Sequence, residues 1–332
     1  MTNSMIWTGT AQIRPATATT GRIAAIEWAK IAFALSIVCL HTGIFADLSR
    51  PLNILIGNNF ARLGVPFFFF VTGFYFQTQV ARGITGLLRR MAGLYVIWTL
   101  VYMPFWLPQA NMQLFVTNLV VGYWQLWYLL AALISAVMLS LLRGLSARML
   151  LALALAILAL GAVLQYGQRV DQSPAFGSLP ISADGALARN FLFFAFPFMA
   201  LGDVTARFSG AWARLGKTRK RVIFWAAAGL FVLEVGVNDF LFNAVGPFDI
   251  FLSSAAFIPF LFLTLQSRNW GGRGQISSAW STGIYLVHVL WIDILALIVP
   301  DLPYLAKGVA VIALSLASVP LLRRINRAVP VL

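Results

Sequence analysis

Charge is what this chain has least of: only 10% of its 332 residues are Asp, Glu, Lys or Arg, and just 10 of those are acidic. Soluble domains keep about a quarter of their residues charged, so a sizeable soluble domain is excluded. Cysteine is almost absent too. The single Cys39 allows neither an intramolecular disulfide nor a cysteine metal cluster. There is no phosphate-binding glycine loop, no G-x-S-x-G elbow and no metal-ligand spacing, which argues against an ATP-driven pump, a serine-type hydrolase and a bound metal. The first 21 residues, MTNSMIWTGTAQIRPATATTG, lack the apolar core of a signal peptide and read as a short cytoplasmic tail.

What remains is apolar. Hydrophobic residues make up 60% of the chain, and the mean hydropathy is +0.85. The apolar runs are long and continuous rather than alternating, so they predict an all-α, polytopic membrane protein and not a barrel. About ten spans are expected, near 23–45, 60–81, 91–108, 118–142, 149–166, 190–207, 222–241, 248–266, 280–299 and 305–322. Most of the 24 Lys and Arg fall in alternate loops: Arg82, Arg89 and Arg90; Arg143 and Arg148; Arg207 to Arg221; Arg268 and Arg273; Arg323, Arg324 and Arg327. That asymmetry predicts that both termini are cytoplasmic. It also accounts for the net charge of +14 without nucleic acid. The run RLGKTRKRV (214–222) then reads as an anchor that meets anionic lipid. The expected organisation is a tail over 1–21, one transmembrane domain over 22–323 and a tail over 324–332. The longest outer connection, 167–189, is either a solvated connector or a cover over a site.

The chain is organised around its first span. Lys30 and His41 are eleven positions apart, separated by IAFALSIVCL. Eleven residues are almost three helical turns, so the two share one face roughly 16 Å apart. Glu27 is within i,i+3 reach of Lys30. Ionisable groups at membrane depth are costly and are functional by default, although Lys30 can also snorkel and His41 can be a satisfied buried imidazole.

Further candidates follow along the chain. Arg62 enters the aromatic span NNFARLGVPFFFFVTGFYF (58–76), where Pro66 and Gly73 permit a kink or close helix approach. Arg89 and Arg90, adjacent at a helix entrance, suit either phosphate capture or topological anchoring. YWQLWYLLAAL (123–133) reads as an interfacial belt. STGIYLVHVLW (281–291) holds His288, the second of two histidines, with Asp293 beyond it. Asp203 and Asp239 lie near expected span ends and read as solvated, whereas Glu234 lies deeper.

These stretches resemble the acyltransferase 3 family of integral membrane acyltransferases, and more narrowly its bacterial sugar O-acetyltransferases. The first-helix pattern of an acidic residue, a cation, ten residues and a histidine is Glu27, Lys30 and His41. The VP-F-F-x-x-SG segment is Val65-Pro66-Phe67-Phe68 to Thr72-Gly73, preceded by Arg62. Leu126-Trp127-Tyr128-Leu129 and Gly283-Ile284-Tyr285 with His288 complete the series. Two features depart from the pattern. Thr72 stands where serine is usual, and Arg89 and Arg90 are adjacent where many members carry R-x-x-R. The resemblance implies transfer of an acyl group, acetyl first among them, from cytoplasmic acetyl-CoA or another acyl-CoA to a hydroxyl of an envelope glycan or polyprenyl-linked sugar, in a bacterial inner membrane. Acyl-CoA is then a donor substrate rather than a resident cofactor. His41 is expected as the general base, with Glu27, Lys30 and His288 in the catalytic set and Lys30, Arg62, Arg89 and Arg90 toward the donor. The competing expectations are a secondary transporter of a small anion or sugar and a non-catalytic subunit of a glycan assembly complex.

Overall fold

The structure is a computed structural model and describes residues 23–170, 188–242, 248–268 and 277–332. The 1–21 tail and residues 171–187 of the long outer connection lie outside the described residues. The chain is helical, and no strand occurs among the described residues. We label ten helices: α1 Ala24–Thr42, α2 Gly64–Phe74, α3 Ile84–Trp106, α4 Trp127–Leu141, α5 Ala147–Val170, α6 Phe196–Arg214, α7 Lys217–Phe242, α8 Ser254–Gln266, α9 Ala279–Ile298 and α10 Tyr304–Ile325. Among the described residues, nine helical runs are long and apolar enough to cross a membrane. The protein is a multi-pass integral membrane protein.

The expected span at 248–266 is the one that falls short. Its helix, α8, has 13 residues, and Phe248–Ser253 before it is irregular. Unpaired backbone is not tolerated at membrane depth unless protein groups satisfy it. Here two side chains do so. Gln165 Oε1 accepts the amides of Asp249 (2.8 Å) and Ile250 (2.9 Å), and its Nε2 donates to Ile250 O (2.8 Å). Glu234 accepts the amides of Leu252 (2.8 Å) and Ser253 (2.7 Å) and the Ser253 hydroxyl. The expected 60–81 span is displaced as well. It forms a run from Arg50 to Phe74 that includes π and 3-10 turns, and a break at Tyr75 precedes Phe76–Ala81. At the far end, Val331 and Leu332 fold back and are buried, with Val331 O accepting Trp98 Nε1 (3.1 Å).

Two hydrophobic clusters hold the bundle. One centres on α2, α6 and α8, through Phe67, Phe69, Phe70, Met199 and Phe262. The other joins α1, α3, α9 and α10, through Ile37, Trp98, Tyr102, Ile284 and Val311. Lipid tails are as apolar as leucine, so close backbone packing carries much of helix association. The tightest crossing is α2 on α6. A Cβ on Gly73 would lie 1.9 Å from Met199 O, and one on Gly202 would lie 2.2 Å from Phe70 O. Only glycine fits at either position.

Candidate active site

In the first helix the i,i+3 spacing of Glu27 and Lys30 yields an ion pair. Lys30 Nζ pairs with Glu27 Oε2 at 2.9 Å and Oε1 at 3.2 Å. His41 sits in the last turn, just before Gly43, whose left-handed φ of 62° ends the helix with its amide returned to Cys39 O.

Lys30 and His41 open into different cavities. One, of about 280 Å³, is lined by Lys30, Thr72, Tyr75, Gln79, Arg90 and Ser281, with Phe68, Tyr128 and Tyr285 among its walls. The other, of about 490 Å³, is lined by His41, Arg62, Trp124, Trp127, Arg189 and Asp249. Arg62 and Asp249 form an ion pair there, both largely buried. Arg62, Arg189 and His41 face the same cavity. Trp124 lies against His41 with ring centroids 5.4 Å apart, and its backbone is held at φ 44°. A bulky residue in the left-handed region is strained, and such strain concentrates at functional sites.

Between the cavities runs a chain of rings. Phe68, Tyr128 and Tyr285 face one another at 5.3 to 6.3 Å. Tyr285 meets His288 at 5.9 Å, and His288 meets His41 at 5.2 Å. The two histidines, far apart in sequence, are therefore neighbours. His288 is fully buried. Its Nδ1 lies 2.7 Å from Tyr285 O. A carbonyl only accepts, so Nδ1 bears the proton and Nε2 is left as an acceptor. That Nε2 has no hydrogen-bond partner among the described residues.

The turn of α9 that carries His288 is held by an inserted side chain. The Tyr102 hydroxyl donates to Leu286 O (2.6 Å) and accepts from Leu290 N (3.0 Å). These are the i and i+4 groups that an uninterrupted helix joins directly. Gln125 Nε2 donates to the same hydroxyl (2.8 Å) and to Leu286 O (3.2 Å), and Tyr285 donates to Gln125 O (2.9 Å).

The remaining candidates separate. Arg90 lines the Lys30 cavity, and Arg89 is exposed outside it. Arg62, grouped with the donor-side cations by sequence, stands in the His41 cavity instead. Asp203 is fully buried rather than solvated: it pairs with Arg207 (2.6 Å) and accepts from Gln77 (2.7 Å), because the close α2–α6 crossing seals it. Glu234 has a structural role at the start of α8, with Tyr166 also donating to it (3.2 Å). Asp293 accepts from Tyr123 (3.3 Å), and Asp239 is exposed. Sequence reasoning passed over Arg189, Asp249 and Tyr102, and treated Trp124 and Trp127 as a belt. Asp249 alone carried a signal, as a carboxylate in an otherwise uncharged apolar run. Among the described residues no group of His, Cys, Asp and Glu side chains is arranged to hold a metal.

No curated protein and no solved structure matches this chain. The acyltransferase domain family matches residues 23–324, nearly the whole of the chain. That extent, over a helical membrane bundle whose first-helix cation and histidine open into two cavities with a chain of ring contacts between them, makes the chain a member of the acyltransferase 3 family of integral membrane acyltransferases.

Proposed function

We propose that this acyltransferase moves an acetyl group from cytoplasmic acetyl-CoA to a hydroxyl of an envelope glycan or lipid-linked sugar. The donor enters the Lys30 cavity, on the side that the Lys and Arg distribution makes cytoplasmic. Lys30, held by Glu27, and Arg90 meet its phosphates. The acceptor occupies the His41 cavity. His41 takes the proton of the acceptor hydroxyl, the oxygen attacks the thioester carbonyl, the C–S bond breaks and the departing thiolate of coenzyme A is protonated. His288, with its tautomer set by Tyr285 O, positions the His41 ring.

The observation that best supports this reading is the contact of His41, in the lining of one cavity, with His288, at the end of the ring chain that starts in the wall of the other. A transporter needs one site exposed alternately to either side, whereas two separate cavities suit two substrates. The test uses purified protein in nanodiscs with radiolabelled acetyl-CoA. Wild type should bind saturably and hydrolyse it slowly. Lys30→Ala should weaken binding, and His41→Ala should abolish turnover with folding intact. Wild-type turnover in His41→Ala would sink the mechanism. A folded wild type that binds no acyl-CoA would sink the donor assignment.

A further inference from the structure

Two of the cations that line the cavities are held by carboxylates. Lys30 pairs with Glu27, and Arg62 pairs with Asp249. Arg189 pairs with no carboxylate among the described residues; its guanidinium lies 5.9 Å from the centroid of the Trp127 ring. It is only partly exposed and lines the His41 cavity. An uncompensated cation at such a place is costly unless an anion completes it.

The backbone around Arg189 is anchored. Ala188 before it is buried. Asn190 after it accepts the amides of Leu192 (2.8 Å) and Phe193 (2.9 Å), which fixes the start of the run into α6. A guanidinium lying over an indole face keeps its N–H edge available, and that edge matches the two oxygens of a phosphate or carboxylate. The cavity, at about 490 Å³, is within the range of small-molecule sites, roughly 300–1,000 Å³. Trp124 and Trp127 supply flat apolar walls on which a sugar ring can rest.

We propose that Arg189 is an anion subsite and that the ligand of the His41 cavity is a sugar bearing a phosphate or a carboxylate. Its identification as the acyl acceptor rests on the acyltransferase reading; the anion subsite itself does not. Arg62 is neutralised by Asp249, so Arg189 supplies the net positive charge that such a ligand meets. The donor's phosphates bind on the far side of the ring chain and do not reach it.

The test is footprinting with phenylglyoxal, which modifies arginine. Protein in zwitterionic nanodiscs is modified alone or with glucose 1-phosphate, methyl glucuronide, methyl glucoside or adenosine 3′,5′-bisphosphate, and the extent at Arg189 is read by peptide mass spectrometry. Glucose 1-phosphate or methyl glucuronide should protect Arg189, and whichever protects better identifies the anion. Methyl glucoside should not. Direct binding of the protecting sugar should weaken roughly 10- to 100-fold in Arg189→Gln and recover in part in Arg189→Lys, with thermal stability close to wild type because Arg189 has no ion pair among the described residues to lose. Equal protection by methyl glucoside, protection by the bisphosphate alone, or no protection would each overturn the proposal. Acetyl-CoA hydrolysis by the same wild-type preparation separates the two readings. Turnover without protection removes the anion subsite alone, and protection without turnover removes the acyltransferase mechanism and leaves the subsite standing.

Discussion

Replacing Tyr102 by Phe removes one oxygen and tests how the His288 turn is built. That hydroxyl makes three hydrogen bonds, to Leu286 O, Leu290 N and Gln125 Nε2. Three lost buried bonds would ordinarily cost several kcal/mol at about 1 kcal/mol or more each. Here most of the loss is recoverable. Leu286 O and Leu290 N are helix partners and can bond each other, and Gln125 Nε2 already reaches Leu286 O at 3.2 Å. The net cost to stability should be about 1 kcal/mol. Activity should suffer more. Without the hydroxyl the turn is free to shift His288 relative to His41, and a misplacement of about 1 Å at a reacting centre costs on the order of 100-fold. Turnover of radiolabelled acetyl-CoA should therefore fall at least about tenfold, while the melting temperature in detergent drops only a few degrees. Wild-type turnover would refute the claim that this hydroxyl positions His288. A collapse of the fold would show that its role is only structural.

Two further substitutions separate the scaffold from the site. Gly202→Ala places a Cβ 2.2 Å from Phe70 O and 2.6 Å from Phe74 N; these are backbone atoms that cannot step aside, so it should cost about 3 kcal/mol or more, whereas Gly86→Ala, with nothing within 4 Å, should be neutral or slightly stabilising. Equal melting temperatures for the two variants would contradict the packing argument. Glu234→Gln replaces one acceptor with a donor and orphans a backbone amide at Leu252 or Ser253. It should lower stability by about 1–3 kcal/mol and leave turnover per folded molecule unchanged, since none of the partners of Glu234 lines either cavity; loss of turnover at unchanged stability would give Glu234 a catalytic role.

Burial and pairing explain which residues were readable in advance. Lys30 and His41 stand out because each is an ionisable group in an apolar run, and their shared face follows from helical spacing alone. Trp124 and Trp127 carry no such mark. An aromatic residue near a span end has the same appearance whether it meets lipid headgroups or walls a cavity. Glu234 was visible as a deep carboxylate and Asp203 read as a solvated one; Arg207 lies one turn from Asp203, but Ser253, 19 residues from Glu234, and Gln77, 126 residues from Asp203, lie beyond any local pattern. Arg189 looked like an ordinary loop charge because its distinction, a cavity position with no carboxylate partner among the described residues, is defined only by the folded surroundings.

The sequence by itself determined the solvent, the helical class and the Glu27–Lys30 pair of the first helix. Sixty per cent hydrophobic residues in continuous runs leave helices as the way to satisfy backbone groups in lipid, and the period of the helix then puts Glu27, Lys30 and His41 on one stripe. Only the tertiary structure decided the rest. The packing of α9 on α1 brings His288 to His41, and the bundle divides the cations between two cavities and leaves Arg189 without a carboxylate among the described residues. Those outcomes depend on contacts between residues up to a few hundred positions apart, and neither apolar periodicity nor local spacing encodes which face of one helix will meet which face of another.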